Sequence, residues 1–440
     1  MNLPSPSKLI GIVVATLSFL LLPTALAAPV ANNNETTMPS GQAQRVLASV
    51  RSSVLQIKTI PIGSDSTYGY GSGFAVGFGG LIVTNYHVVS AVVMSPDRYR
   101  LEFLKRDGTK GTVAIVAIDL VHDLAVVRGD TGPMPALGFA PSVPDKGTRG
   151  YSIGFPQNLG LTVTEGIVNG LSEDSVSGSI HFSGAVNSGM SGGPAVNGEG
   201  RVFGVNVSSM RDSQLISFVV PASAVTALLA RAKNISAPTA TVLFDELAMQ
   251  LKQGAIETLN LFPQGNLPVQ NFGHFQVPTN PGKFAQCNAS NDNDADKLYS
   301  TEMSWCDFKD TTYVQRDLFV GSWTFVNRHI SAPDFGPMRL ASLAEGFIKP
   351  NDDTSPSTRI HKKLWACQSK IVSLAGTRAK TVLCLRRYSQ FEDLYDIRMR
   401  LVTLDVPNEA LVSSLFFDGF PYPEAMALMQ RFMGAIVWKP

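Results

Sequence analysis

Three short segments of this 440-residue chain carry side chains that could act together on a carbonyl group. The run Asn187-Ser188-Gly189-Met190-Ser191-Gly192-Gly193-Pro194 sets a serine in a glycine-lined turn. A serine hydroxyl is a weak nucleophile by itself. It needs a neighbouring base, and the oxyanion it creates needs backbone N–H groups aimed at it. Glycines before and after the serine let the backbone turn sharply enough to point those groups inward. Gly189 and Ser191 are the expected oxyanion donors. A glycine- and serine-rich β-turn with no chemical role has the same composition. The second segment, Thr84-Asn85-Tyr86-His87-Val88-Val89, follows a strand-like run. Its imidazole, with an ordinary pKa near ~6.5, suits a general base at neutral pH. A hydrogen-bonded structural histidine is the plain alternative. The third, His122-Asp123-Leu124-Ala125-Val126-Val127, puts a carboxylate at the mouth of an apolar run. There it can accept from an imidazole N–H and hold its tautomer. Asp119 competes for that role; Asp123 is preferred because it abuts the apolar run, and His122 is expected to face solvent.

The elements that must position these groups are short. Between Val54 and Val220, eleven apolar runs of strand length are separated by glycine-rich turns, among them Val54–Ile60, Leu81–Thr84, Leu124–Arg128 and Val202–Val207. Strands at this spacing predict an all-β sandwich or barrel set. A helix opened by Pro221 follows, over 222–231. Residues 233–241 read as a linker, and Val242–Leu261 carries apolar positions at helical spacing. Residues 262–296, rich in Pro, Asn, Gly and Asp, read as loop. Beyond them, strands are expected over 317–327, 363–374, 380–388 and 394–404, and helices over 408–416 and 423–436. No internal repeat is visible.

The chain order His, Asp, Ser is that of the two-barrel fold, and not of subtilisins or α/β-hydrolases; no G-x-S-x-G elbow surrounds Ser191. Residues 45–232 resemble trypsin-like serine proteases of the HtrA (Deg) type. The resemblance is carried by Gly71-Ser72-Gly73-Phe74, the His87 segment, Asp123-Leu124-Ala125-Val126, Ile153-Gly154-Phe155-Pro156, Thr164-Glu165-Gly166-Ile167-Val168, the Ser191 segment and Phe218-Val219-Val220-Pro221. It implies two six-stranded β-barrels, with His87 and Asp123 from the first and Ser191 from the second meeting in the cleft between them. It also implies protein or peptide substrates and no cofactor or metal. Met190 departs from the aspartate of chymotrypsin-type enzymes and from the asparagine of HtrA-type ones. It cannot pair with a freed N-terminus, so activation by N-terminal insertion is not expected. No PDZ-like sequence is found in the C-terminal half. The side-chain pocket is expected to be lined by Ala185, Asn187, Ser188, Val205 and Val207. None is charged, which predicts small or medium apolar residues before the cleaved bond.

The rest of the composition sets bounds. With 44% hydrophobic and 16% charged residues the chain can fill two cores. A net charge of +1 excludes a broad nucleic-acid surface. Lys8, the apolar run Leu9–Leu22, Pro23 and Ala25-Leu26-Ala27 read as a signal peptide cleaved near residue 27. The run is shorter than the ~20 residues that span a bilayer, so export to the periplasm or the medium is expected. The domains expected are a signal peptide (1–27), a flexible leader (28–44), the peptidase domain (45–232), a linker and helix (233–261) and an α+β domain (262–440). Four cysteines, Cys287, Cys306, Cys367 and Cys384, read as two disulfides in an exported protein. Of three pairings, Cys287–Cys306 and Cys367–Cys384 close the shortest loops and are favoured. Asp292, Asp294 and Asp296 read as a solvated acidic loop, because Lys297 and Met303 break an EF-hand frame. The alternative to a peptidase is a chaperone-like or partner-binding protein in which proteolysis is secondary.

Overall fold

The β-runs of the first half close on themselves twice. The computed structural model describes residues 41–77, 79–172, 176–209, 216–232, 236–294, 296–308, 310–349 and 360–439; the expected signal peptide lies outside them. The first barrel is built from β1 (Val54–Pro61), β2 (Gly69–Ala75), β3 (Leu81–Asn85), β4 (Tyr99–Leu104), β5 (Lys110–Asp119) and β6 (Leu124–Arg128). The second contains β7 (Arg149–Gly154), β8 (Thr162–Leu171), β9 (Ile180–Phe182), β10 (Pro194–Val196), β11 (Val202–Ser209) and β12 (Ser217–Pro221). The first closes in the order β1-β2-β3-β6-β5-β4, and the second repeats that order as β7-β8-β9-β12-β11-β10. Both are antiparallel throughout. The expected double barrel is therefore present. The strand the sequence hid is β10, three residues opening on a proline, too short to show a period.

Three α-helices accompany the barrels before the chain leaves them. Helix α1 (Gly41–Val50) buries Ala43, Val46 and Val50, so the expected flexible leader already turns helical within its last residues. Helix α2 (Tyr86–Met94) begins where β3 ends and carries His87 in its first turn. Helix α3 (Ala222–Ala232) follows β12 and buries Ala222, Val225, Leu228 and Ala232.

Helix α4 (Ala240–Asn260) is capped by Thr239, whose hydroxyl accepts from the Val242 N–H, and it is more than a linker. Leu243, Leu247 and Leu251 recur every fourth residue and join the core of the first barrel. Ala255 and Leu259, further along the same face, join the core of the C-terminal region. Gln250 fastens the helix to the end of β5: its amide donates to the Ile118 carbonyl at 3.0 Å and its oxygen accepts from the Leu120 N–H at 2.9 Å.

The C-terminal region contains β13 (Val269–Phe272), β14 (Phe275–Pro278), β15 (Ala285–Asp292), β16 (Ser300–Phe308), β17 (Thr312–Gln315), β18 (Leu318–Val320) and β19 (Ser322–Ser331), followed by helix α5 (Pro337–Gly346). Then come β20 (Ala366–Ser373), β21 (Arg378–Arg387), β22 (Leu394–Leu404), β23 (Glu409–Pro421), helix α6 (Tyr422–Gly434) and β24 (Val437–Trp438). Seven of these strands form one antiparallel sheet in the order β15-β16-β19-β23-β22-β21-β20. Strands β13, β14 and β24 form a small sheet, and β17 and β18 a hairpin.

Two expectations fail here. Of residues 408–416, expected as helix, all but Asn408 belong to the central strand β23 (Glu409–Pro421). Leu411 and Leu415 face one core while Ala410 and Val412 face another, packed with Leu340 and Ala344 of α5. With both faces apolar, the polar alternation that marks a strand is gone. Residues 262–296, expected as loop, hold three strands. Strand β15, exposed over nearly its whole length, is held by its pairing with β16 and by no apolar face.

The disulfides Cys287–Cys306 and Cys367–Cys384 are formed as expected. In the acidic loop the Lys297 ammonium lies 2.7 Å from Asp292 and 3.7 Å from Asp294. Among the described residues no helix is long and apolar enough to cross a membrane.

Candidate active site

His87 and Asp123 come together through the turn that joins β5 to β6. Asp123 takes a positive φ of 52°, a conformation aspartate tolerates better than most residues. The turn is tied to the start of α2 by four hydrogen bonds. The Asp123 carbonyl accepts from the Asn85 side-chain amide at 2.7 Å and from the Tyr86 N–H at 3.0 Å. Its carboxylate accepts from the His87 N–H at 2.8 Å through Oδ1 and meets the imidazole Nδ1 at 2.6 Å through Oδ2. A carboxylate can only accept, so Nδ1 carries the proton and Nε2 keeps a free lone pair. Burial lowers the His87 pKa, but the charge and hydrogen bond of Asp123 outweigh it, and the net direction is upward.

The competing carboxylate has another partner. Asp119 Oδ2 lies 3.0 Å from His122 Nδ1 and 3.7 Å from the Arg231 guanidinium. Burial raises its pKa, yet the bond and charge of His122 more than offset that and hold it below the usual range. His122 is thus paired and only a third exposed, where solvent had been expected.

Ser191 sits in a turn pinned from both barrels. From the first, the Ser72 hydroxyl donates to the Gly189 carbonyl at 2.7 Å and accepts from the Phe155 N–H at 2.9 Å. The Ser72 N–H donates to the Ser191 carbonyl at 2.7 Å. From the second, Asn206 takes the Gly192 N–H on its carbonyl at 2.9 Å and gives its side-chain amide to the Ile153 carbonyl at 3.1 Å. The turn's geometry demands its glycines. Gly189 and Gly192 have φ of 94° and 84°. A Cβ on Gly189 would meet the Phe155 carbonyl oxygen, and one on Gly192 the Ser72 carbonyl oxygen and the Thr84 hydroxyl. Met190 is wholly buried among Phe182, Phe203 and Val219. An apolar side chain at this place anchors the turn by packing.

The amides of the turn divide into used and free. Met190 N–H donates to Asn187, Gly192 N–H to Asn206 and Gly193 N–H to Met190. Among the described residues, the N–H groups of Gly189 and Ser191, the expected oxyanion donors, have no backbone acceptor. The Ser191 hydroxyl donates to the Val207 carbonyl, and among the described residues no hydrogen bond joins it to His87. Gly71 separates the two halves of the site: a Cβ there would touch the Val88 side chain on one side and the Ser191 carbonyl on the other.

Of the five expected pocket residues, Ala185, Asn187 and Ser188 are exposed and Val207 is half-buried. Val205 is fully buried in the core with Tyr151, Ile153 and Val220 and cannot line a pocket; its neighbours on β11 alternate faces, and this one turns inward. Asn206, next along the strand, is likewise buried. Three contributors were missed. Ser72 and Asn206 lie in unremarkable local sequence, although Ser72 falls within a segment that carried the family resemblance. Tyr313, from β17, stands edge-to-face against the His87 ring at a centroid distance of 6.0 Å and an interplanar angle of 79°. No local pattern marks it.

Residues 71–205 match the trypsin-like peptidase domain family. The chain is 35% identical over 175 residues to the mitochondrial serine protease HTRA2 of Bos taurus, covering 37% of this chain and 36% of that protein. It is 32% identical over 200 residues to a periplasmic serine endoprotease DegP-like protein of Rickettsia conorii, covering 42% and 38%. It is 34% identical over 171 residues to human serine protease HTRA3, covering 36% and 37%. The chain thus spans well under half the length of these relatives.

Proposed function

We propose that this chain, whose residues 71–205 form a trypsin-like peptidase domain of the HtrA type, is an exported serine endopeptidase acting through His87, Asp123 and Ser191. His87 takes the Ser191 proton on Nε2 as the oxygen attacks the peptide carbonyl. The N–H groups of Gly189 and Ser191 hold the oxyanion, and the imidazolium then protonates the leaving amine. Water resolves the acyl-enzyme by the same steps in reverse roles. Asp123 fixes the tautomer and stabilises the imidazolium. The observations that carry this reading are the 2.6 Å contact of His87 Nδ1 with Asp123 and a serine turn in which, among the described residues, the Gly189 and Ser191 amides have no backbone acceptor.

The uncharged surroundings of Ala185, Asn187, Ser188 and Val207 support small or medium apolar residues before the cleaved bond. The signal-like segment 1–27 and the periplasmic name of one relative support export. A division near residue 232 between peptidase and C-terminal domain is part of the same reading, with α4 packed on both. Cleavage of casein by the mature chain tests the activity, and a peptide library tests the preference. Undiminished cleavage by Ser191→Ala would refute the assignment.

A further inference from the structure

The C-terminal hairpin reaches the first barrel at the one helix that carries His87. Val314 of β17 is fully buried in the first-barrel core, together with Leu318 and Val320 of β18. The Tyr86 hydroxyl, next to His87 in sequence and itself fully buried, donates to the Val314 carbonyl at 2.7 Å. The hairpin is therefore an anchored part of the barrel surface. Alternation along β17 puts Tyr313 on the opposite face from Val314. There its ring is backed by Phe319, its cross-strand partner, at 5.4 Å, and presented to His87 at 6.0 Å.

Resting on the peptidase reading above, we propose that Tyr313 is a positioning residue for the catalytic histidine: the C-terminal region closes the open flank of the imidazole with this ring and completes the cleft the barrels leave unfinished. Two features of the cleft agree. A chamber of about 510 Å3 on one side of the hairpin is lined by Asp123 and Val207 together with Phe308 and Thr312. A chamber of about 610 Å3 on the other side is lined by His87 and Tyr70 together with Tyr313 and Gln315. Each chamber takes walls from both the barrels and the C-terminal region.

The ring limits water around His87, whose side chain is 29% exposed. The ionisable groups about it are Asp123 from the β5–β6 turn, Tyr86 on its own helix and Tyr313. Tyr68, Arg98, Arg316, Asp317 and His361 line the same chamber further out. Removing the ring hydrates the imidazole and favours its charged form, so the pH at which the base becomes available rises.

The test uses the full chain and diisopropyl fluorophosphate, which needs no known substrate. The Ser191 Oγ–P bond forms, the P–F bond breaks, fluoride leaves and the hydroxyl proton passes to His87. The labelling rate is followed against pH. Tyr313→Ala is expected to move the acid midpoint upward, so that labelling slows about threefold more on the acid limb than on the alkaline plateau. Tyr313→Phe keeps the ring and is expected to restore the wild-type midpoint. Tyr313→Gln replaces Ala if that variant does not fold. An unmoved midpoint in Ala or Gln, a loss equal at all pH values, or a Phe variant that behaves like Ala each overturn the inference alone. Failure of the wild-type chain to label at Ser191 sinks the peptidase reading, and this inference with it.

Discussion

Every strand of the two barrels has a partner on both flanks, whereas β15 and β20 of the seven-stranded sheet each leave one flank to solvent. The barrels contain no cysteine; the sheet has all four. Cys287 lies directly opposite Cys306 in the β15–β16 pairing, and Cys367 opposite Cys384 in β20–β21. Both edge strands are nearly all exposed. Closure satisfies the backbone of a barrel and surrounds it with apolar contacts. An open sheet with a polar edge has neither support, and a covalent staple at each edge supplies what packing does not. The site's rigid parts belong to the closed half, and the C-terminal region reaches the site through a hairpin sunk into the barrel core.

The largest test of this division concerns activity. Ser191→Ala is expected to lower peptide hydrolysis by at least about 10^3-fold, while replacing both cysteine pairs by serine leaves kcat within about threefold. A comparable loss from the cysteine variants, measured in the same assay, would break the separation. Next in size is the stability of the edges. Replacing Cys367 and Cys384 by serine is expected to cost about 3 kcal/mol, with hydrogen exchange accelerating in β20 and β21 and unchanged in β3 and β6. Uniform acceleration would mean that the staples support the whole chain.

Ser72→Ala removes a hydroxyl that serves the Gly189 carbonyl and the Phe155 amide, leaving both buried groups unpaired. A loss of about 2 kcal/mol is expected in denaturant unfolding, with a slower kcat because the Ser191 turn loses its brace to the first barrel. Stability lost with kcat unchanged would confine Ser72 to folding. The smallest effect is the pH dependence of stability. The folded-state pKa of His87 is raised. Its contribution to stability is therefore full below the unfolded value of ~6.5 and lost as pH rises through the folded value. Activity needs the neutral base and rises over the same interval. Thermal unfolding of wild type and Asp123→Asn across pH 5–9 should show the decline in the first and not in the second.

How much of this was legible follows the range of the forces involved. The strands of the barrels announced themselves because each is a short apolar run between glycine turns, and only β10, too brief and opened by Pro194, escaped. The repeated strand order of the two barrels left no repeat in sequence, since closure constrains pairing and burial but tolerates many apolar side chains. Strand β23 read as a helix because both its faces are buried. Val205 was placed in a pocket because distance along the chain does not say which face of a strand a residue takes. His87, Asp123 and Ser191 stood out because their chemistry restricts the neighbours: an aspartate before an apolar strand, a serine between glycines.

By itself, the sequence determined which groups could react and how each is locally held, since a positive φ at Gly189 and Gly192 or a strand that ends at Asn85 is a property of a few adjacent residues. Only the tertiary structure decided that Asp123 and not Asp119 meets the imidazole, that Ser72 and Asn206 brace the serine turn, and that Tyr313 stands beside His87. Those contacts join residues tens to hundreds of positions apart. The first ones follow from the closure of the barrels; the last exists because burying Val314 in the first-barrel core places the hairpin there, and that outcome depends on the packing of the whole chain.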